Sequence, residues 1–232
     1  MTNTLTDRQE FFGGFREILP LSFGAGIYGL AFGLLASQAY MGSLEVGVMG
    51  TFVFAGASQI IAVERVVAGA GSIVAVLAGV ALNLRLLLIT ASIRDIFVGR
   101  PFWQVALGAH LTTDENWALM LSARARHQQA GYWYLVGAGL NLILIWVLAT
   151  VAGVYFASAI PEPRALGMDF AFTAAFIAIA RSLWSGRSDL IPWCVAVAVV
   201  TGLIVPGVVD ASWALICGGV AGALAAGIRD NG

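Results

Sequence analysis

Long apolar runs separated by short polar stretches make up most of the chain. Each run is close to the roughly 20 residues that a helix needs to cross the hydrocarbon core of a bilayer. Such runs cover about residues 18–40, 45–67, 70–93, 102–122, 132–157, 167–184, 189–206 and 208–228. Backbone groups in lipid must pair within the chain, and the runs do not alternate as the strands of a barrel would. The pattern predicts an all-α polytopic membrane protein, a bundle of about seven or eight transmembrane helices.

The boundaries of these runs divide the chain into three parts. Residues 1–17 form an N-terminal cytoplasmic or interfacial segment, residues 18–228 a single transmembrane domain, and residues 229–232 a short cytoplasmic tail. The first part carries its apolar side chains broadly on one helical face, opposite Arg16 and Glu17. We therefore expect a short interfacial helix before the first crossing segment.

The composition excludes a soluble domain. Of the 232 residues, 59% are hydrophobic and 11% are charged, and the mean hydropathy is +0.88. An average soluble domain is about 25% charged. The formal net charge of −1 does not favour nucleic acid as a partner. Cys194 and Cys217 lie in apolar runs without a CxxC spacing, so we expect small buried hydrophobic residues rather than a disulfide or a metal site. No cofactor is indicated.

The arginines indicate the orientation of the chain, because basic residues concentrate on the cytoplasmic side. If all eight runs cross and the N-terminus lies inside, the arginines that fall outside are Arg94, Arg100 and Arg164. If the second and fourth runs instead re-enter the side they came from, Arg94 and Arg100 move inside and Arg65 moves out. Both arrangements place the two termini in the cytoplasm. The charges therefore do not decide between eight crossings and six.

The second run contains a polar interruption, in the stretch TFVFAGASQII (51–61). Gly56 weakens a helix by roughly 1 kcal/mol relative to alanine, and Ser58 and Gln59 can bond to freed backbone groups or to a ligand. Irregular backbone in lipid is tolerated only against protein or a water-filled cavity, and discontinuous helices of this kind hold substrates in known transporter folds. The interruption predicts a discontinuous or re-entrant helix. The alternative is an unbroken, close-packed helix with Gln59 bonded to a neighbour.

The same stretch has a weak echo later in the chain. TFVFAGASQIIA (51–62) aligns without gaps with DFAFTAAFIAIA (169–180), and the two share two phenylalanines and two alanines. Structural repeats are common in secondary transporters. Two apolar helices also share such residues by chance, so an internal repeat and coincidence are equally compatible with the match.

A second polar constellation lies in the third run, at ALNLRLLL. An arginine at the centre of a transmembrane helix costs about 2.5–3.5 kcal/mol. Arg85 therefore needs a partner: a carboxylate, a set of carbonyl groups or the carboxylate of a substrate. Asn83 lies two residues away, which is about 200° of helical rotation, so the two side chains face different neighbours. A purely structural ion pair of Arg85 is the alternative to a substrate site.

The fourth run carries the third constellation, HLTTDENW, which starts at His110. It is too polar for a lipid-facing helix, and Asp114, or less favourably Glu115, is the candidate partner of Arg85. A protonatable carboxylate beside a histidine is also what a proton-coupled carrier uses as a relay. The candidates for proton coupling are His110, Asp114 and Glu115. The alternative is a run that ends near Leu111 and leaves the acids at the membrane surface.

These motifs, in this order, resemble those of the AzlC family, the large subunit of branched-chain amino acid exporters. The likeness is carried by GFREILPLSFGAGIYGLAFG (14–33), VFAGASQ (53–59), LNLR (82–85) and TTDE (112–115), and more weakly by GMDFAFTAAFIA (167–178). It covers almost the whole chain. Each piece alone would be a weak signal, whereas FAGASQ followed by LNLR and then by TDE is a specific combination.

The resemblance implies export of L-valine and related amino acids across the bacterial cytoplasmic membrane, driven by the proton motive force. It also implies a partner, because family members act with a small, very hydrophobic membrane subunit of the AzlD type. Members often carry a histidine or similar polar residue after LNLR and a tyrosine soon after, where this chain has Leu86 and Ile89. No role is carried over to those two positions. A channel, or a transporter of another small zwitterionic or organic solute, is the alternative function.

A free amino acid is a zwitterion with an apolar tail, and the three constellations offer groups for its two charged ends. The carboxylate is expected to meet Arg85 or the backbone N–H groups around Ala57 and Ser58. Side-chain oxygens nearby are expected to accept from the ammonium group: those of Gln59, Asn83 and Asp114. The predicted substrate-binding residues are therefore Gly56, Ala57, Ser58, Gln59, Asn83 and Arg85.

An intramembrane serine hydrolase is the enzyme alternative. Ser58 would act as the nucleophile, with His110 or His127 as its general base. The chain lacks a G-x-S-x-G nucleophile elbow, and Gln59 has no role in such a site that a transporter would not also explain. We therefore expect a transport protein rather than an enzyme.

Overall fold

The structure is a computed structural model of the chain. It describes residues 6–67, 69, 71–157, 184, 186–206, 209 and 211–230. All regular secondary structure in these ranges is helical, which confirms the all-α class. The chain divides into two compact units, residues 1–171 and residues 172–232.

The helices of the first unit, in its described part, are α1 (Asp7–Glu17), α2 (Leu19–Gln38), α3 (Ser43–Phe52), α4 (Gly56–Val67), α5 (Ser72–Ser92), α6 (Phe102–Leu111), α7 (Asp114–Ala125) and α8 (Tyr132–Ala157), with a 3₁₀ turn at Arg94–Phe97. The described part of the second unit contains a 3₁₀ turn (Arg187–Asp189), α9 (Leu190–Ile204) and α10 (Ala211–Asp230). Among the described residues, the helices long and apolar enough to cross a membrane are Leu19–Gln38, Ser72–Ser92, Tyr132–Ala157 and Arg187–Ile204. The polytopic membrane class is thereby confirmed.

α8 is the central helix of the first unit and packs against α1, α2, α3, α6 and α7. α2 runs parallel to α8, because Gly26 lies against Ile145 and Gly33 lies against Gly153. A Cβ atom on Gly33 or on Gly153 would overlap backbone atoms of the other helix. Glycine at these two positions therefore allows the close approach on which this helix pair depends.

α1 is the expected N-terminal helix, and it packs on the first turns of α8. Gly14 approaches so closely that a Cβ atom there would overlap the backbone of Tyr134. The carboxylate of Glu10 accepts a hydrogen bond from the backbone N–H of Gly131. Burial raises the pKa of Glu10 above its ordinary value, although the hydrogen bond from Gly131 acts to lower it. α1 is thus fixed to protein along one side as it leads into α2.

The second apolar run folds into two short helices instead of one. α3 starts at the C-terminal end of α8, where the hydroxyl of Ser43 donates to that of Tyr155 at 3.5 Å. It ends beside the middle of α8, where Gly50 packs against Trp146. The chain between α3 and α4 is not helical, and Phe54 there has a φ of 37°, in a region that residues with a side chain seldom adopt. The alternative of an unbroken helix is therefore wrong.

α4 turns back towards the end at which α3 began. It packs antiparallel to α5, because Ser58 lies opposite Asn83 whereas Ala62 lies opposite Gly79. α5 in turn runs towards the N-terminal end of α8, because the 3₁₀ turn that follows α5 contacts the first residue of α8. α3 and α4 therefore form a re-entrant hairpin whose two outer ends lie at the C-terminal end of α8.

The fourth apolar run also breaks into two helices that fold back. α6 starts at the N-terminal end of α8, where the hydroxyl of Tyr132 donates to the carbonyl oxygen of Gln104 at 2.9 Å. It ends at Leu111, which packs against Gly139. α7 returns to the starting end, where Arg124 donates to a carbonyl oxygen just before α8 at 2.8 Å. α6 and α7 form a second re-entrant hairpin, which enters from the opposite end to the first.

The two hairpins decide the question that the arginines leave open. α2 and α8 are parallel, so the chain between them must cross the membrane an odd number of times. α5 supplies one crossing, and the two broken runs must therefore both cross or both re-enter. The positions of their outer ends show that both re-enter. In the first unit the crossing helices are α2, α5 and α8, as the six-crossing arrangement requires.

The second unit is described mainly by the antiparallel pair α9 and α10. Gly218 and Gly222 of α10 face Val200 and Ala196 of α9, so small residues again mark the contact. The two cysteines, on α9 and α10, are free and exposed on the helix surfaces, and the prediction that they are buried is wrong. Run 167–184 and the second copy of the sequence echo, 169–180, lie outside the described residues.

Candidate functional site

The tips of the two hairpins meet beside the middle of α8. The ring nitrogen Nε2 of His110, at the end of α6, lies 2.9 Å from the carbonyl oxygen of Thr51, at the end of α3. A carbonyl only accepts, so this nitrogen carries the hydrogen. The ring of His110 also packs against that of Phe54, with 6.3 Å between centroids. The predicted first and third constellations are thus brought together by the hairpins.

The α4 tip leaves backbone donors unused at the start of a helix. The residues that precede α4 are Val53, Phe54 and Ala55, none of which has a polar side chain that could cap a helix. The first α4 residue to donate its N–H within the described chain is Gln59, which donates to the carbonyl oxygen of Ala55 at 2.9 Å. The N–H groups of the three residues before it have no acceptor there. A helix N-terminus in this state carries a partial positive charge and favours an anion.

Gln59 is fully buried and only partly satisfied. Its side-chain oxygen Oε1 accepts a hydrogen bond from the indole N–H of Trp146 at 3.0 Å. Its amide nitrogen Nε2 has no partner among the described residues. Leaving a buried donor unpaired costs about 1–3 kcal/mol. Gln59 thus has the bonded neighbour that the sequence predicts, Trp146. This neighbour engages the amide oxygen and leaves the amide nitrogen without a partner among the described residues.

α5 presents its two predicted residues to two different helices, as their spacing requires. The hydroxyl of Ser58 on α4 donates to the side-chain oxygen of Asn83 at 2.6 Å. On another side of α5, Arg85 forms an ion pair with Asp114 at 2.8 Å, which confirms Asp114 as its partner. α5 itself is continuous from Ser72 to Ser92, so no distortion is needed to place these groups.

Asp114 is the first residue of α7, and the α7 tip satisfies its own polar groups. Thr113 caps the helix: its hydroxyl accepts from the N–H of Asn116 at 3.4 Å, and its own N–H donates to the Asn116 side-chain oxygen at 2.8 Å. The Asn116 amide nitrogen donates to the carbonyl oxygen of Leu111 at 2.6 Å. α6 does end at Leu111, as that alternative has it, and Asp114 is partly buried and paired with Arg85 of α5.

Glu115 follows Asp114 and is half-buried at the same tip. Arg85 pairs with Asp114 and not with Glu115. The predicted residues lie on the α4 tip (Gly56, Ala57, Ser58 and Gln59), on α5 (Asn83 and Arg85) and on the α6–α7 hairpin (His110, Asp114 and Glu115). The contacts that join these elements are Ser58–Asn83 and Arg85–Asp114.

Trp146, which is not among the residues predicted from the sequence, forms the wall against which the α4 tip lies. A Cβ atom on Gly56 would lie 2.9 Å from the Trp146 ring, so glycine at this position makes room for the indole. The ring also stacks on Phe32, at 5.9 Å between centroids, and tilts against Tyr28 at 5.8 Å. Nothing in the sequence distinguishes Trp146 from the other tryptophans. The capping role of Thr113 was readable, because Thr followed by Asp and Glu is an N-cap signal.

The geometry does not support the serine hydrolase alternative. The hydroxyl of Ser58 is directed at Asn83, and His110 is bonded to the backbone of Thr51. No nucleophile and base are therefore paired at this site. Among the described residues there is also no group of three or more histidine, cysteine or acidic side chains that could hold a metal ion.

Fold and site together define a polytopic membrane protein in which two broken helices bring a polar cluster to the middle of the crossing helices. The chain belongs to the AzlC family, because the family model described as AzlC protein matches residues 20–160, more than half of the chain. This is a family of transport-related membrane proteins, and the resemblance drawn from the motifs is confirmed.

Similar proteins agree with this assignment. The chain is 27% identical over 228 residues to the inner membrane protein YgaZ of Escherichia coli, covering 94% of this chain and 90% of that protein. It is 26% identical over 176 residues to an uncharacterized membrane protein of Haemophilus influenzae, covering 73% and 70% of the two chains. An uncharacterized membrane protein of Helicobacter pylori is 25% identical over 174 residues, with 73% and 75% covered. No solved structure matches the chain.

Proposed function

We propose that this chain is the large subunit of a secondary active exporter of branched-chain amino acids of the L-valine type in the bacterial cytoplasmic membrane. Membership of the AzlC family supports transport. The observations that carry the proposal are a broken helix whose second half, α4, begins without a side-chain cap, and the Arg85–Asp114 ion pair on the helix that packs against α4. Broken helices that place charge-binding groups at mid-depth are how many secondary transporters hold their substrates.

The two kinds of group match the two ends of a zwitterion. The first turn of α4 offers N–H donors and a positive dipole end, which suit a carboxylate. The carboxylate of Asp114 and the side-chain oxygen of Asn83 are acceptors, which suit an ammonium group. The apolar side chain of the amino acid would then contact Phe54 and the aromatic wall formed by Trp146. A branched aliphatic side chain has the shape and polarity for this environment.

Coupling to protons is proposed at the second hairpin. Asp114 holds Arg85 while it is ionised, and its protonation would release Arg85 from the pair. His110 bonds the α6 end to the α3 end, so its ring links the two hairpin tips. Glu115 adds a second carboxyl group beside Asp114. A proton taken up by Asp114 would therefore loosen the contact between α5 and the second hairpin and favour exchange of access to the site.

The orientation follows from the arginines once both hairpins re-enter. Arginines of α1, of the α5–α6 connection and of α7 then share one end of the first unit: Arg8, Arg16, Arg94, Arg100, Arg124 and Arg126. Arg65 belongs to the opposite end. The positive-inside rule assigns the arginine-rich end to the cytoplasm. We propose that the N-terminus and the C-terminus are both cytoplasmic.

The partner is proposed to be a small, very hydrophobic membrane subunit of the AzlD type. This rests on the family resemblance. The proposal requires that co-expression with the small neighbour increases transport or is necessary for it. The stoichiometry would then follow from the mass of the purified complex.

The test is amino acid efflux from bacteria fed a valine-containing dipeptide. Cells that express the chain together with the small subunit are expected to lower their internal valine faster than cells with an empty vector, and cells with the chain alone serve as the second comparison. Efflux equal to that of the vector control, with both subunits present in the membrane, would contradict the proposal.

A channel is separated from a carrier by counterflow. Vesicles loaded with unlabelled valine are expected to accumulate labelled valine transiently, because a carrier exchanges the two across its alternating site. A channel gives no such accumulation. Counterflow with glycine betaine or another zwitterion, but not with valine, would assign the chain to another solute.

A further inference from the structure

The bond between Trp146 and Gln59 fixes the direction in which the Gln59 amide points. An indole N–H is a donor only, so the amide atom 3.0 Å from it must be the oxygen Oε1. The amide therefore cannot be turned round without losing this bond in a fully buried place. Nε2, with its two N–H donors, is the half that has no partner among the described residues.

The unpaired amide nitrogen lies at the first turn of α4. Gln59 is the fourth residue of that helix, and side chains of helical residues lean towards the helix N-terminus. The indole that holds its oxygen also contacts the helix start, because a Cβ atom on Gly56 would lie 2.9 Å from the ring. Trp146 thus spans the first turn, from Gly56 to Gln59. The amide donors thus belong to the same helical turn as the unused backbone N–H groups.

Among the described residues, every polar group without a partner at this turn is a donor. The backbone contributes the N–H groups of Gly56, Ala57 and Ser58, and the side chain of Gln59 contributes its amide N–H groups. The complementary ligand is an anion with more than one acceptor oxygen, as a carboxylate is. An ammonium group has no acceptor and would meet only donors there. The sequence predicts that Gln59 accepts from the substrate ammonium group, whereas its atom without a partner is a donor, which suits the carboxylate.

We propose that Trp146 is a positioning residue that holds Gln59 as a hydrogen-bond donor, and that Gln59 with the α4 N-terminus binds the carboxylate of the transported amino acid. The inference deepens the proposed function and rests on it. It assigns the two ends of the substrate: the carboxylate lies at the α4 tip against Trp146, and the ammonium group lies towards Asn83 and Asp114. The substrate class is therefore one that carries a carboxylate.

Two analogues of valine separate the two ends. Isobutylamine keeps the ammonium group and the branched chain but lacks the carboxylate, whereas isovalerate keeps the carboxylate but lacks the ammonium group. Each is used to inhibit labelled valine counterflow in vesicles that contain the full chain, together with the small subunit if wild-type transport needs it. Wild-type transport is expected to be inhibited by both, because the proposal gives each end of the substrate its own groups.

The substitutions Trp146→Phe and Gln59→Glu remove the donor arrangement in different ways. Trp146→Phe keeps a ring against Gly56 but loses the N–H, so the Gln59 amide is free to turn. Gln59→Glu keeps an acceptor for the indole but has no N–H to offer. Both are expected to raise the KM for valine roughly tenfold or more, since hydrogen bonds to charged groups contribute at that scale, with a smaller change in maximal rate. The inhibition by isovalerate should weaken, and that by isobutylamine should not.

The control is Trp103→Phe on α6, which changes the same residue type at an exposed place, where the side chain is 60% exposed. It is expected to leave KM and both inhibitions unchanged. Wild-type vesicles without valine counterflow would overturn the proposed function and this inference with it. Wild-type counterflow that isovalerate does not inhibit would overturn this inference alone. So would variants that transport valine with the wild-type KM and the wild-type inhibition by isovalerate.

Discussion

The two hairpin tips have the same arrangement of helices, but the helix start is capped by side chains in one tip and uncapped in the other. Each consists of a short helix, two or three irregular residues and a second short helix, and the two tips touch at His110 and Thr51. At the start of α7, Thr113 and Asn116 take up each other's backbone groups. At the start of α4, by contrast, the preceding residues are apolar and no side chain caps the helix. The tip at the start of α7 therefore supplies its own hydrogen-bond partners, whereas the tip at the start of α4 lacks acceptors for its N–H groups among the described residues.

We propose from this difference that the capped tip is scaffold and that the uncapped tip is prepared for a ligand. A side-chain cap contributes about 0.5–2 kcal/mol to a helix, and an unpaired buried donor costs about 1–3 kcal/mol. Natural structures keep such a deficit where something else uses the groups. The capped tip holds Asp114 in a fixed position for Arg85. The uncapped tip keeps its donors available, and Trp146 keeps its amide in one orientation.

The largest effect is expected from breaking the ion pair that joins α5 to the capped tip. Asp114→Asn and Arg85→Met are each expected to abolish valine counterflow while leaving the protein inserted, because the proposed relay and acceptor are lost. Membrane abundance and counterflow are measured on the same vesicles. Wild-type flux from both variants would remove these residues from the mechanism.

The matched control for this pair is Asp95→Asn. Asp95 also pairs with an arginine, Arg124, at 2.9 Å, but at the outer end of the second hairpin. An exposed pair of this kind contributes about 0–1 kcal/mol, so counterflow should stay within about twofold of wild type. A loss equal to that of Asp114→Asn would show that any broken arginine pair inactivates the protein.

Gly56→Ala tests the packing of the uncapped tip against Trp146. A Cβ atom there would lie 2.9 Å from the indole, and such overpacking costs about 1–3 kcal/mol. The thermal unfolding midpoint in detergent is expected to fall. Gly202→Ala on α9 is the control, because a Cβ atom there meets nothing within 4 Å and alanine favours the helix. A midpoint unchanged by Gly56→Ala would contradict the close packing.

Ala55→Ser would make the uncapped tip more like the capped one. Serine just before Gly56 is a good N-cap and would accept from the first N–H groups of α4, at a gain of about 1 kcal/mol in helix stability. The same bond would compete with a substrate carboxylate, so the KM for valine is expected to rise by roughly tenfold. A more stable protein with an unchanged KM would show that these N–H groups do not bind the substrate.

Thr113→Ala makes the converse change and should have the smallest effect. Loss of the α7 cap is expected to cost about 1 kcal/mol, seen as a lower unfolding midpoint. The KM for valine should change little, because the groups released belong to the scaffold tip. Thr113→Ser keeps the hydroxyl and is expected to restore the midpoint. A larger rise in KM from Thr113→Ala than from Ala55→Ser would reverse the assignment of the two tips.

Much of the site could be predicted from the sequence because charge in lipid needs a partner. Arg85 in an apolar run required a carboxylate, and Asp114 is an acidic residue in the next run along the chain, so their pairing followed from the cost of leaving either alone. The two-residue spacing of Asn83 and Arg85 likewise predicted two different neighbours. The orientation of the Gln59 amide could not be predicted, because it depends on Trp146, 87 residues away in the chain.

The sequence by itself determined that the chain lies in a lipid bilayer and that its elements are helices. Runs of apolar residues of membrane length, with too few charges for water, can only be buried helices. It also determined where polar groups interrupt those runs. The tertiary structure alone decided that the second and fourth runs turn back, because an interrupted run has the same length and hydropathy whether it crosses or returns. That choice depends on which ends meet α8, and so on contacts between residues far apart in the chain.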